Sequence, residues 1–150
     1  MNHQFGDFYV TEETEGYEWL SIQLDNGVDI ICWYLFEDGK VVNPVMTYML
    51  ADGSVEIPEK FTIEPLNYWV SPKLKKYASK WKITEPDKKL DIVVEMVIPN
   101  QLSYIPYPYF KKKPPEIYLI ELYEGSTVIE GSFEEKPVKG VGYAELTHHW

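Results

Sequence analysis

Four glutamates set inside runs of alternating polarity are the residues of this chain best placed to move a proton. Glu95, Glu121, Glu130 and Glu145 each fall within a period-two pattern rather than in a turn. Glu121 shares a face with Ile117, Leu119 and Tyr123, and Glu145 shares one with Val141 and Tyr143. An acid facing inward would lose its water and hold its proton more tightly, as proton transfer requires. Facing outward it would be ordinary surface charge. The other reactive types are fewer. Cys32 sits in the middle of an apolar strand-like run, which reads as a small buried hydrophobe. His148 and His149, next to Trp150, read as a solvated tail, and His3 stands alone near the start. A zinc site needs three or four convergent ligands, and no Cys or Asp cluster has that spacing. There is no Gly-x-Ser-x-Gly elbow, phosphate loop, His-Glu-x-x-His or dinucleotide fingerprint. No metal and no cofactor is therefore expected.

The elements that must position these groups are strands. Segment 17–24 alternates Tyr17, Trp19, Ser21 and Gln23 against Glu18, Leu20, Ile22 and Leu24, and Asp25-Asn26-Gly27 then signals a hairpin. Further runs lie at 28–36, 44–50, 55–66, 78–84, 90–98, 117–123, 126–133 and 141–147. Pro58 and Pro65 confine their segment to an edge or a bend. Residues 73–80 have the pattern of one or two helical turns at most. The stretch 104–115 (YIPYPYFKKKPP) reads as a long connection, serving as a lid over a barrel mouth or as a polyproline ligand for a partner.

Regularly spaced short strands divided by turn residues predict an all-β domain over 1–150: an antiparallel, lipocalin-like barrel of eight to nine strands. The runs 28–36 and 117–123 are apolar on both faces, so something is expected to cover them outside: a helix, a partner lipocalin-like domain or a second copy in a homodimer. One domain of 150 residues can bury a core without staples, and a single cysteine allows no internal disulfide. The aromatic share of 15% favours pleated, half-buried surfaces.

The formal charge is −10, and all 14 basic residues are lysine. Without arginine's bidentate fork, an acidic chain is a poor fit for nucleic acid or an anionic membrane. No run approaches the roughly 20 apolar residues of a membrane-spanning helix. The opening residues lack the basic start and apolar core of a signal peptide. That points to the cytoplasm if the chain is complete, and leaves the periplasm or secretion open if it is a fragment.

These motifs, in their order, resemble the AttH and carotenoid-hydratase (CrtC-like) family, whose members carry two lipocalin-like domains. The likeness is to the C-terminal half and covers nearly the whole chain. His3-Gln4-Phe5-Gly6-Asp7-Phe8 resembles the family's inter-domain stretch DHQWGDF, so that 1–15 reads as an inter-domain-like segment. Tyr17 through Gly27 resembles WDWFSLQLDDG, and Ala51-Asp52-Gly53 resembles DADG. Tyr68-Trp69-Val70-Ser71-Pro72, with Trp81 following, resembles WxSP and a later tryptophan. Tyr123-Glu124-Gly125, Gly131 and Gly140 through Thr147 resemble YWEG, VxG and GxGYLELTGY.

The resemblance implies a β-barrel half that packs on a partner half. It also implies a hydratase or cyclase/isomerase-type chemistry on polyenes in some members. In hydratases of the family a His-x-Trp stretch and a later acid are implicated in protonating a double bond. Here His3 is kept, Phe5 stands at the tryptophan position, and the strand around Ile30-Ile31-Cys32-Trp33 offers only Asp29. The combined expectation is an apolar ligand, such as a lipid, polyene or isoprenoid, inside the barrel. Trp19, Ser21, Gln23, Tyr34, Trp69, Trp81 and Tyr123 would line the site, and His3 and Glu145 would be its acid–base groups. A hydratase or cyclase, and a non-binding structural half-barrel, are the alternatives.

Overall fold

The computed structural model describes residues 14–107 and 118–148. The described chain is a ten-stranded antiparallel sheet without a helix. In chain order the strands are β1 (Thr14–Leu24), β2 (Asp29–Glu37), β3 (Lys40–Met49), β4 (Val55–Glu56) and β5 (Thr62–Val70). Then come β6 (Lys76–Glu85), β7 (Leu90–Met96), β8 (Leu102–Tyr107), β9 (Tyr118–Phe133) and β10 (Lys136–Leu146). Their order across the sheet is β4-β3-β2-β1-β10-β9-β7-β6-β5. β8 continues the line of β7: Leu102–Tyr107 pairs with the first part of β9 and Asp91–Met96 with its later part.

The turns follow local chemistry. Between β2 and β3 a two-residue loop places Asp38 at φ 50° and Gly39 at φ 66°, the primed turn whose twist suits a hairpin. Between β1 and β2 the Asn26 side chain accepts from the Val28 amide at 3.1 Å. Glu134 and Glu135 make a second left-handed pair, at φ 51° and 64°, joining β9 to β10. That turn is absent from the sequence reading because neither residue is a usual left-handed one.

Other boundaries move for identifiable reasons. From Tyr118 onward the segments read at 117–123 and 126–133 form one strand, because Glu124-Gly125 is not a turn: Gly125 is buried under the Tyr123 ring. A Cβ there would sit 2.7 Å from the ring's Cζ and 2.8 Å from Gln101 Oε1, so only glycine lets the tyrosine fold back. Segment 55–66 splits into β4 and β5, and part of the connection read at 104–115 belongs to β8. Residues 76–80 are strand rather than helix, since Tyr77 and Trp81 point into the core. β5 is an edge strand, and its Pro65 lies beside a register shift.

The sheet curls into a barrel-like form. Following hydrogen-bonded neighbours from Trp81 through Val94, Ile129 and Gly140 leads to Leu24 on β1. The residue Trp81 meets across the interior is instead Glu18, further back along β1. Such a stagger is what strand tilt in a curled sheet produces. Tyr48 of β3 reaches Glu85 of β6 at 3.2 Å, and Lys88, beyond β6, pairs with Glu56 of β4 at 3.0 Å. The two ends of the sheet approach in this way through side chains of β3, β4, β6 and the turn after β6, without a hydrogen-bonded ladder between the edge strands β4 and β5. Among the described residues no helix is long and apolar enough to cross a membrane.

Candidate functional site

β1 presents Glu18, Leu20, Ile22 and Leu24 to the interior, and β2 presents Ile30, Cys32, Tyr34 and Phe36. Glu18 is therefore a carboxylate in a hydrophobic phase, and it is wholly buried. Its Oε2 accepts the Trp81 indole N–H at 2.7 Å and also the Tyr34 hydroxyl. A buried indole needs an acceptor, and Glu18 supplies it from the opposite wall. Burial, then the charge of Glu18 and its hydrogen bond, push the Tyr34 hydroxyl well above its ordinary pKa. Burial, with Glu18 nearby, pushes the Cys32 thiol up to about 12. Cys32 is thus a core residue, with no thiolate at neutral pH.

A second group lies on the same layer. Tyr123, Leu146, Glu18 and Tyr34 are successive inward neighbours on β9, β10, β1 and β2. Tyr123 donates to the Ile98 carbonyl at 2.8 Å, and burial pushes its pKa up to about 12. The Trp69 ring stacks on Tyr77 at 5.4 Å and lies 6.4 Å from Tyr123. Tyr77 donates to Glu121 Oε2 at 2.9 Å, while Lys73 and Lys75 approach Oε1 at 3.0 and 3.5 Å. Burial pulls the Glu121 carboxyl upward, but hydrogen bonds from Lys73 and Tyr77 and the two lysine charges outweigh it, so its pKa is lowered. Glu121 is a held carboxylate rather than a proton donor. Within this aromatic wall and beside it, Trp69 Nε1 and Thr127 Oγ1 are buried with no hydrogen-bond partner among the described residues.

The structure thus gathers Tyr34, Trp81 and Tyr123 in the interior, with Trp69 half-buried against them. It does not place Trp19, Ser21, Gln23 or Glu145 there. Those four lie on the outer face: Gln23 is exposed, and the other three are half-buried. The alternation of β1 was legible, but not which phase turns inward: Glu18 shares its phase with Leu20, Ile22 and Leu24, against Tyr17 and Trp19 on the other. His3 lies outside the described residues. His148 is buried and stacked on Phe36, with ring centroids 3.3 Å apart, rather than part of a solvated tail. Its backbone N–H donates to the Tyr17 carbonyl at 3.2 Å, which holds the chain end against β1. Of the remaining candidate acids, Glu95 and Glu130 are exposed, and Glu95 pairs with Lys80 at 2.8 Å.

The barrel centre is filled rather than hollow. Trp81, Tyr34, Tyr48, Tyr77, Tyr123 and Phe36 are all fully buried. Two surface concavities, one beside Asp25, Lys82 and Asp91 and the other beside Glu85 and Pro86, touch none of the interior aromatics. No group of three His, Cys, Asp or Glu among the described residues could hold a metal ion.

The comparisons with known proteins give one family, from a family model, and one fold, from solved structures. A family model described as AttH-like matches residues 1–149. The fold is similar to that of an AttH protein of Nitrosomonas europaea, with TM-score 0.70 and 17% identity over 93% of this chain. It is also similar to kievitone hydratase of Nectria haematococca, with TM-score 0.68 and 16% identity over 90% of this chain. In both cases the chain spans 40% of the solved protein's length. Among curated proteins none matches by sequence.

Proposed function

We propose that this chain, which belongs to the AttH-like family, binds an apolar small molecule of the lipid, polyene or isoprenoid class at the aromatic end of its barrel. One observation supports the reading: Trp69, Tyr77 and Tyr123 form a wall in which the Trp69 indole N–H is buried with no partner among the described residues. A buried polar group left unsatisfied costs about 1–3 kcal/mol, which a ligand's polar end or a water would recover. Apolar surface with one or two oriented polar groups is the usual form of a small-molecule site.

The test is titration with all-trans-retinol, a neutral polyene, followed by quenching of tryptophan fluorescence. Saturable one-to-one binding, weakened several-fold in Trp69→Ala, is expected. Absence of saturable binding by the wild-type chain would overturn the proposal.

A hydratase reading is favoured by a different observation, the wholly buried Glu18 carboxyl on the same layer as Tyr123. In that reading Glu18 gives its proton to one alkene carbon, water adds to the other, and the added water returns a proton to the carboxylate. The net reaction is addition of water to a double bond. Glu18→Gln would then retain retinol binding while losing all turnover of an alkene substrate.

A further inference from the structure

The residues that the alternation of β1 and β10 singled out do meet, on the outside of the barrel. Val45, Trp33, Trp19, Glu145 and Glu124 are successive neighbours across β3, β2, β1, β10 and β9, and all face outward. Trp19 also meets the Tyr143 ring edge-on, at 6.5 Å. Tyr17 donates its hydroxyl to Glu145 Oε1. Below them Val141 and Val128 face each other across the strands, 60% and 49% exposed. The result is an aromatic and aliphatic stripe that ends in two carboxylates.

Those carboxylates have an unusual setting. Like charges directly opposite each other on neighbouring strands repel. Several other surface acids are matched: Glu95 by Lys80, Asp91 by Lys82, Glu56 by Lys88 and Glu135 by Lys89. Among the described residues no lysine pairs with Glu124 or Glu145. Their charge, after burial, is part of why the hydroxyls of Tyr17 and Tyr143 hold their protons more tightly than usual.

We infer that this row is a docking surface for a basic polypeptide segment, whose lysine or arginine heads sit on Glu124 and Glu145 and whose aliphatic stems lie over Trp19 and Trp33. Charge complementarity decides against a second copy of this chain. A two-fold axis along the row would set one glutamate pair against another, and one crossing it would bury both acids against Val45 and Trp33 with no counter-charge, in a protein that already carries −10. A basic side chain instead neutralises the opposed acids and covers an indole face, where cation–π attraction adds to burial. The inference is independent of the retinol site, which lies on the other face of the sheet.

The experiment is titration of the whole chain with a synthetic peptide of alternating lysine and leucine, read by tryptophan fluorescence and calorimetry at two salt concentrations. Glu124→Gln/Glu145→Gln is expected to weaken binding about tenfold or more, and Trp19→Ala by several-fold. Glu59→Gln/Glu64→Gln, which removes the same charge near the β5 edge, should leave binding unchanged. Equal weakening by both double variants would reduce the effect to general attraction towards an acidic protein and overturn the inference. So would no saturable binding by the wild-type chain. A concentration-dependent dimer in sedimentation that Trp19→Ala abolishes would assign the face to a second copy and overturn it as well.

Discussion

The indole of Trp81 on β6 donates to the carboxylate of Glu18 on β1 at 2.7 Å, across the barrel interior and between strands that are not neighbours in the sheet. Together with the Tyr34 hydroxyl on the same oxygen, this bond ties three strands through a single wholly buried acid. A network of this kind is demanding: satisfied it fixes one arrangement, and half-satisfied it is worse than an apolar core.

Glu18→Leu leaves the Trp81 N–H and the Tyr34 O–H buried without their acceptor, at about 1–3 kcal/mol each. A loss of roughly 3 kcal/mol in urea unfolding is expected, against about 1 kcal/mol for Glu18→Gln, which keeps an acceptor oxygen. In a double-mutant cycle with Trp81→Phe, the pair should couple by about 1 kcal/mol or more. Simple additivity would show that the contact does not hold β1 to β6.

Cys32 should behave as a core residue rather than a nucleophile. It has no exposed surface, and its pKa is pushed up to about 12. Labelling by a water-soluble disulfide reagent at pH 8 is expected to be slower than that of the unfolded chain by about a hundredfold or more, because it waits on opening of the fold. Fast labelling of the native protein would contradict the placement of β2.

Alkali should unfold the protein cooperatively. Burial, followed by neighbouring carboxylates, raises Tyr17, Tyr34, Tyr48 and Tyr77 well above the ordinary value of 10.0. Below pH 10 these tyrosines are neutral in both states, and their contribution to stability is fully present. Above it the unfolded chain ionises while the folded chain resists, so stability falls as pH rises, by about 1.4 kcal/mol per pH unit for each such group. A jump in tyrosinate absorbance worth at least these four residues should therefore accompany loss of the fold. Ionisation of all 12 tyrosines before the fold is lost would show these hydroxyls to be in water.

Much of the fold was legible because period two and turn chemistry are local. The Asp25-Asn26-Gly27 hairpin, the edge position of β5 and the run of antiparallel strands follow from residues a few places apart. The motif order identified the family, which the match over 1–149 shows. Of the residues expected to line a cavity, Tyr34, Trp81 and Tyr123 are inside.

What no local pattern could decide was which face of β1 turns inward. Period two divides Tyr17, Trp19, Ser21 and Gln23 from Glu18, Leu20, Ile22 and Leu24, but names neither as the interior. The curl of the whole sheet makes that choice. It brought Trp81 from a strand four positions away across the sheet onto Glu18, and so gave an acid a place in the core. The same curl sent Trp19 and Glu145 to the outside, where they stand directly opposite one another. The sequence determined the strands, the turns and the family. The long-range stagger between strands, which depends on every pairing around the sheet at once, decided where the chemistry lies.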